Sequence, residues 1–142
     1  MTNEELIKIA IEAREHATPV ISKYKVGAAL LCKNGNIYTG CNIEDSACLR
    51  LGVCAERLAF FKAIEAGETQ FIKIAVVGGL DENNRLSTLP CGICRQFMAI
   101  YAPDIDVIFL DDSGKILKTN IKELLPSKYN ENFVKEDENG QI

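Results

Sequence analysis

Two cysteine motifs constrain the fold of this chain more than any other feature of its sequence. The sequence CAE at 54–56 and the sequence PCGIC at 90–94 each stand where a helix is predicted to begin. The spacing within the second motif lets two thiolates face one ion from a single helical turn, and Cys54 can supply a third sulfur. Three protein ligands leave the fourth tetrahedral position to water, as in catalytic zinc sites, and Glu56 is placed to move a proton of that water. The fold must therefore bring two remote segments together around one metal ion.

The six cysteines could instead form disulfides. However, a chain of 142 residues with 47% apolar residues can fill a core without them. The N-terminus lacks the basic and apolar segments of a secretory signal, so we expect a cytoplasmic, reducing environment in which spaced cysteines more often bind metal. Two alternatives stay open, namely a redox pair formed by Cys91 and Cys94, and a closed structural zinc site with Cys41 or Cys48 as fourth ligand.

Composition excludes two classes of partner. The longest apolar run, at 26–32, is far shorter than the roughly 20 residues that span a bilayer, so we predict no membrane span. The net charge of -4, with lysines scattered along the chain, gives no basic stripe that could neutralise a phosphate backbone. A polynucleotide partner is therefore not expected.

Hydrophobic periodicity and turn signals predict an α/β chain. The polar turn at 34–36 predicts a hairpin, and glycine or proline follows each predicted main helix. The predicted elements are, in chain order, a helix from a capping box at Thr2 up to Pro19, a hairpin over 24–43, a helix over 54–66, a buried strand at 72–79, a polar loop, a helix over 91–102, two strands at 105–110 and 115–119, and a short helix at 121–125.

These elements predict one α/β domain over residues 1–130, with helices on both sides of a mixed sheet, followed by a charged tail at 131–142. Cys32 and Cys41 are predicted as buried strand residues, and His16 as a surface residue. Apolar spacing predicts that the second and third helices pack inward through Leu58, Phe61 and Ile64 and through Phe97, Ile100 and Tyr101.

Five segments in order along the chain resemble the small cytidine deaminases. They read SKYKVGAALL, GCNIE, CAER, PCGICRQ and ELLP, and they extend from Ser22 to Pro126. The pattern C-x-E followed by P-C-x-x-C is a signature of zinc nucleobase deaminases. The segments YAPDIDVIFL and ELLPSKY are also similar to the C-terminal part of blasticidin S deaminases. The resemblance implies a three-layer α/β/α fold with a mixed five-stranded sheet.

The resemblance also implies roles for particular residues. Zinc, one ion per subunit, would be held by Cys54, Cys91 and Cys94, and Glu56 would pass the proton of the bound water to ring N3 and then to the departing amine. Asn42 and Glu44 would bind the ribose hydroxyls, and the backbone of Ala55 would meet the pyrimidine edge. Tyr24 stands where a base-stacking phenylalanine is usual. Members of this family form homotetramers, which implies neighbouring-subunit contacts for Ser46 and for Tyr129 in place of a terminal phenylalanine.

The charge of the predicted metal site gives a role to Arg57. Three thiolates on a divalent cation leave a net negative charge, which would hold back ionisation of the bound water. The two predicted helix N-termini and the guanidinium of Arg57 can draw electron density from the sulfurs. Arg57 is therefore predicted to tune the metal rather than to contact the substrate.

The resulting hypothesis is a hydrolytic deaminase of pyrimidine salvage, which converts free cytidine or deoxycytidine into uridine or deoxyuridine with release of ammonia and without an organic cofactor. The chain departs from the usual pattern at Tyr24, at Tyr129 and in the segment at 45–52, which is one residue longer and lacks a tyrosine. Blasticidin S and N4-substituted cytidines are therefore alternative substrates. An alternative of a different class is a non-catalytic zinc-binding oligomer.

Overall fold

The computed structural model describes residues 1–48, 51–81 and 84–129, with the backbone alone at 81 and 84–86. The predicted tail at 131–142 lies outside these residues, and the domain boundary near 130 stays a prediction. The elements are α1 (Asn3–Arg14), β1 (Lys25–Cys32), β2 (Ile37–Cys41), α2 (Ala55–Glu65), β3 (Phe71–Asp81), β4 (Asn84–Leu86), α3 (Gly92–Tyr101), β5 (Asp106–Leu110), β6 (Ile116–Asn120) and α4 (Ile121–Leu124). Within the described ranges, no helix combines the length and the apolar character needed to cross a bilayer.

Five strands form a mixed sheet in the order β2-β1-β3-β5-β6. Strand β1 lies antiparallel to both β2 and β3, β3 runs parallel to β5, and β6 returns antiparallel to β5. This arrangement confirms the predicted sheet. The prediction of a plain polar loop after β3 was wrong, because the chain there folds back as β4 and pairs with the end of β3 at 78–81.

Helices cover both faces of the sheet. On β1 and β3, alternate side chains point to opposite faces, as the pleat of a strand requires. One set packs with α2 and α3, and the other set packs with α1. The first set includes Ala28, Leu30, Ile74 and Val76, and the second includes Ala29, Leu31, Ala75 and Val77. The three-layer α/β/α fold is therefore confirmed.

The starts of α2 and α3 fall at the cysteine motifs. Cys54 is the N-cap of α2 and Cys91 is the N-cap of α3. Helix α2 lies directly on β2, since a methyl group added to Gly40 would collide with backbone atoms of Ala55 and Ala59. A side chain at position 40 would lift the first turn of α2 off the sheet, so this glycine helps to place Cys54.

The predicted inward faces of α2 and α3 were right only in part, since Ile64 and Phe97 pack against the core but Phe61, Ile100 and Tyr101 are exposed. Helix α2 buries Ala59, Phe60 and Ala63, and α3 buries Cys94, Met98 and Ala99. Small side chains on α2 allow the close approach to β2, and this approach rotates Phe61 outward, where 42% of its surface is exposed. Ile100 and Tyr101 are likewise exposed. These two helices therefore present apolar residues on the surface of the single chain.

Helix α1 begins at the predicted capping box, in which Thr2 and Glu5 exchange two hydrogen bonds. It ends at Arg14, earlier than Pro19. Beyond the end of α1, Thr18 forms a bridge with Ile43, which follows β2. This bridge brings residues 20–24 beside the segment that follows β2, and both segments contribute to the site.

Candidate active site

Three cysteine sulfurs meet where α2 and α3 begin side by side. The Sγ atoms of Cys54, Cys91 and Cys94 all lie within 4.8 Å of one another, and those of Cys54 and Cys91 are 3.7 Å apart. In a tetrahedral zinc site with a zinc–sulfur distance of about 2.3 Å, two sulfur ligands lie roughly 3.8 Å apart. The three sulfurs therefore fit one zinc ion. The predicted ligand set is confirmed as a zinc-binding cluster.

A closed cage of four cysteines is not formed. All six cysteines are free thiols, and the group that can hold an ion includes neither Cys41, which is buried in β2, nor Cys48, which is exposed. Cys32 is also buried, as predicted. The described residues therefore supply three thiolates to this position, the number that keeps a catalytic zinc site open to water.

The surroundings of the sulfurs favour a thiolate at Cys54. A hydrogen bond from Cys94, together with bonds from Arg57 and Cys91, lowers the pKa of the Cys54 thiol to about 5. The same bond to Cys54 and burial raise the pKa of the Cys94 thiol. Zinc binds cysteine as thiolate, so a bound metal would replace the thiol protons that remain in the cluster.

Glu56 lies in the first turn of α2 and is 4% exposed. Burial is the main cause that raises the pKa of its carboxyl group to about 7; a hydrogen bond with Cys94 opposes this rise, and the nearby Cys54 thiolate contributes to it. A carboxyl group that titrates near neutral pH can both take up and release a proton at working pH. No side chain caps α2 or α3, so backbone N–H groups of both first turns remain near the sulfurs.

A cavity of about 380 Å³, here called the site cavity, opens beside this centre. Its wall includes every residue predicted to contact a substrate within the subunit, together with residues that the sequence did not single out. The predicted group comprises Tyr24, Asn42, Glu44, Ala55 and Glu56, and the additional group includes Ser22, Ile43, Val53, Thr88, Leu89 and Ile93. Ser22 begins the segment SKYKVGAALL but has no predicted role in the site, and Thr88 lies outside all five segments.

Asn42 and Glu44 form one hydrogen-bonded network on the cavity wall. Asn42 Nδ2 donates to the carbonyl of Tyr24 at 2.8 Å, and Asn42 Oδ1 accepts from the amide of Val26 at 2.8 Å. Glu44 accepts from the amides of Ile21 and Ser22 at 3.0 and 2.8 Å and from Ser22 Oγ at 2.6 Å. Hydrogen bonds from Ser22 are the main reason that the pKa of Glu44 is lowered.

Arg57 lies beside the cluster and also lines the site cavity, so its predicted role in tuning the metal stays a prediction. Its Nη2 is 3.8 Å from Cys54 Sγ, and its Nε is buried without a hydrogen-bond partner among the described residues. Desolvation opposes the charge of the guanidinium, but bonds to Cys54 and Cys94 outweigh it and raise the pKa of Arg57. The side chain thus remains a cation beside two sulfurs.

Two predicted residues do not line the site cavity of this chain. Ser46 is exposed in the segment after β2, and Tyr129 is 66% exposed. The backbone of Tyr129 is held by Gln96, whose side-chain amide donates to its carbonyl at 2.6 Å and accepts from its N–H at 3.0 Å. Residues 49 and 50, in the segment predicted to be longer than usual, lie outside the described part of the chain.

Three thiolates and a buried carboxyl group at the starts of two helices, on a three-layer α/β/α fold, define the class of zinc-dependent deaminases. Residues 1–110 match the family described as "Cytidine and deoxycytidylate deaminase zinc-binding region". The chain belongs to this family, and the resemblance recognised in the sequence is confirmed.

Individual relatives agree with this assignment. A cytidine deaminase from Sporosarcina psychrophila is 44% identical over 138 residues, which cover 96% of this chain and 95% of the relative. A blasticidin-S deaminase from Bacillus cereus is 38% identical over 116 residues, covering 78% of this chain and 81% of the relative. A crystal structure of a cytidine deaminase from Burkholderia pseudomallei superimposes with a TM-score of 0.81 at 39% identity, covering 91% of this chain and 100% of that one.

Proposed function

We propose that this protein is a zinc-dependent hydrolase that deaminates cytidine and deoxycytidine, consuming water and releasing ammonia and uridine or deoxyuridine. The observation that carries the proposal is the single cavity whose wall includes the metal ligands Cys54 and Cys91, the buried carboxyl of Glu56, and the Asn42–Glu44 network. A metal centre, a proton carrier and a polar sugar site in one cavity are the parts that nucleoside deamination needs.

The chemistry divides between the metal and Glu56. Zinc bound by Cys54, Cys91 and Cys94 would act as a Lewis acid that makes water a nucleophile near neutral pH. Glu56 would accept a proton, deliver it to N3 of the pyrimidine, and transfer a proton to the leaving amine. Its place in the first turn of α2, beside both the sulfurs and the cavity, supports this role.

The hydrogen bonds of the Asn42–Glu44 network indicate where a sugar would enter. The carboxylate of Glu44 already accepts from four donors, of which Asn42 Nδ2 is the most distant, at 3.4 Å. A ribose hydroxyl can insert at this weakest contact, accepting from Asn42 and donating to Glu44. Both residues would then bind the sugar while their remaining bonds keep their positions.

We expect Glu44→Gln to raise KM for cytidine by about 10–100-fold with a smaller change in kcat, because the variant loses charge-assisted bonds to the sugar and to the amides of Ile21 and Ser22. Steady-state kinetics measure this effect. The control substrate is 2′,3′-dideoxycytidine, which lacks both hydroxyls and should lose much less affinity. Equal losses for the two substrates would exclude a sugar-binding role for Glu44.

We expect Arg57→Ala to lower kcat for cytidine while KM stays nearly unchanged, since the guanidinium contacts Cys54 Sγ. Arg57→Lys, which keeps the charge, should recover part of the lost turnover. Kinetics and metal analysis of both variants test this role. A large rise in KM at unchanged kcat would instead place Arg57 in substrate binding.

The outward faces of α2 and α3 support an oligomer. The ring of Phe97 lies 5.6 Å from that of Phe61 and 4.6 Å from that of Tyr101, and Ile100 is exposed nearby in sequence. Exposed apolar residues of this kind commonly form protein contacts. We expect a homotetramer in which Ser46 and Tyr129 contact a neighbouring subunit's site. Sedimentation of the zinc-loaded protein tests the assembly, and a monomer at all concentrations would exclude it.

Blasticidin S is the second candidate substrate, since one relative is a blasticidin-S deaminase. The decisive experiment follows ultraviolet absorbance with cytidine, deoxycytidine, blasticidin S and an N4-substituted cytidine, and measures zinc in the same sample. The proposal predicts one zinc per chain and the highest kcat/KM with cytidine or deoxycytidine. Bound zinc with no turnover of any of the four substrates would favour a non-catalytic zinc-binding protein.

A further inference from the structure

Two hydroxyl groups from remote parts of the chain meet in the wall of the site cavity. The phenolic oxygen of Tyr24 and Oγ1 of Thr88 share a hydrogen bond, and both side chains line the cavity. This contact, here called the Tyr24–Thr88 pair, joins the segment that precedes β1 to the segment that leads into Cys91. It therefore links the aromatic wall of the cavity to the chain that carries two zinc ligands.

Both ends of the pair are themselves anchored. The amide of Tyr24 donates to Ser22 Oγ at 3.1 Å, and its carbonyl accepts from Asn42 Nδ2 at 2.8 Å. The other end is two residues from Pro90, whose carbonyl accepts from Arg95 Nε at 2.8 Å. With its backbone and its side chain both fixed, the ring of Tyr24 has little freedom to swing into or away from the cavity.

The strand beneath the pair leaves room for it. A methyl group added to Gly78 of β3 would collide with Thr88 Oγ1 and with the ring and hydroxyl of Tyr24. The carbonyl of Gly78 accepts from Nη1 of the buried Arg14 at 3.3 Å, which holds this part of β3 from the opposite side. The pair therefore occupies the space that the missing side chain of Gly78 leaves above β3.

We propose that the Tyr24–Thr88 pair determines specificity by fixing the distance between the aromatic wall and the Cys91 segment, so that the site cavity accepts an unsubstituted pyrimidine ring and rejects a larger one. The pair also keeps the Tyr24 hydroxyl bonded to the protein and away from the base. Thr88 is on this basis a specificity-determining residue. The inference rests on the proposed nucleoside deaminase function.

The energetics of the pair make it testable by a double-mutant cycle. Removing one hydroxyl leaves the other partly buried without this partner, which costs more than removing both. Tyr24→Phe and Thr88→Val should each lower thermal stability, and the double variant should recover part of the loss. Such non-additivity is expected for residues that are in contact or share a hydrogen-bond network, whereas the effects of distant, independent sites add.

Selectivity supplies the functional readout. The substrates are cytidine and 5-methylcytidine, because one methyl group in a tight pocket typically changes kcat/KM by about 10–200-fold. We expect the ratio of the two kcat/KM values to fall by about 10-fold in Tyr24→Phe and in Thr88→Val. Thr88→Ser, which keeps the hydroxyl, should keep the wild-type ratio. Tyr38→Phe is a control that removes a tyrosine hydroxyl bonded to Glu68, outside the site cavity.

A wild-type ratio in Tyr24→Phe or Thr88→Val, or stability changes that simply add, would overturn the inference. If either Tyr24→Phe or Thr88→Val does not fold, the other variant still allows the kcat/KM ratio to be compared with that of the wild type. Wild-type protein that deaminates neither substrate would refute the proposed function and the selectivity role with it. In that case the stability cycle would still show whether the two hydroxyls are coupled, so the two failures are distinguishable.

Discussion

Glu56→Gln lowers kcat for cytidine by about 10²–10⁴-fold and leaves zinc bound at one ion per chain. The amide keeps the shape of the carboxyl group, but it cannot take up and release a proton. Burial of Glu56 strengthens this expectation, because bulk water cannot easily replace the proton carrier at a position that is 4% exposed. A steady-state ultraviolet assay measures kcat, and metal analysis of the same sample measures the zinc content.

The matched control is Glu65→Gln, which makes the same change at an exposed position near the end of α2. This variant should keep wild-type kcat and zinc content. An active Glu56→Gln enzyme would remove the proposed mechanism. Loss of zinc together with loss of activity in Glu56→Gln would instead show that the carboxyl group supports the metal site.

Cys91→Ser is the second large effect that we expect. The variant should contain much less than one zinc per chain and lose more than about 10³-fold in kcat/KM, because water without the metal has a pKa near 15.7 and is a poor nucleophile at neutral pH. A serine hydroxyl does not ionise at this pH, so it cannot replace the thiolate as a ligand. Metal analysis after dialysis, followed by assays with and without added zinc, tests the prediction.

Cys48→Ser is the control, since Cys48 is an exposed thiol outside the three-cysteine cluster. It should retain zinc and activity. Cys91 is preferable to Cys94 for this test because it is exposed, whereas a serine at the fully buried position 94 would also disturb the core. Full activity in zinc-free Cys91→Ser would contradict a metal-dependent reaction.

Much of the fold could be predicted because local signals coincide with element boundaries. Helix α1 begins at the capping box of Thr2, and β1 and β2 pair across the turn at 34–36. Helix α2 ends just before Gly67. The inward faces of α2 and α3 were predicted only in part, through Ile64 and Phe97. Close packing at Gly40 favours small residues on α2, and the larger apolar side chains of Phe61 and Tyr101 lie on the surface.

Part of the candidate site could likewise be predicted from the sequence, and part of it could not. The zinc cluster could be predicted because its three cysteines lie in two short motifs with metal-binding spacing. Thr88 and Ser22 could not be predicted, since they reach the cavity only when segments far apart in sequence come together. The catalytic role of Glu56, the substrate roles of Asn42 and Glu44, and the intersubunit roles of Ser46 and Tyr129 remain predictions.

The direct contact between α2 and β2 at Gly40 has a consequence for divergence among related sequences. Cys54 is positioned by main-chain packing, whereas much of the cavity wall comes from Ser22 and Tyr24 and from residues 42–44, 52–53 and 88–89. Mutations in those segments can alter ligand preference without displacing the metal ligand. Through this contact the position of Cys54 is separated from the residues that shape ligand preference, so preference can diverge among related sequences while this metal ligand stays in place.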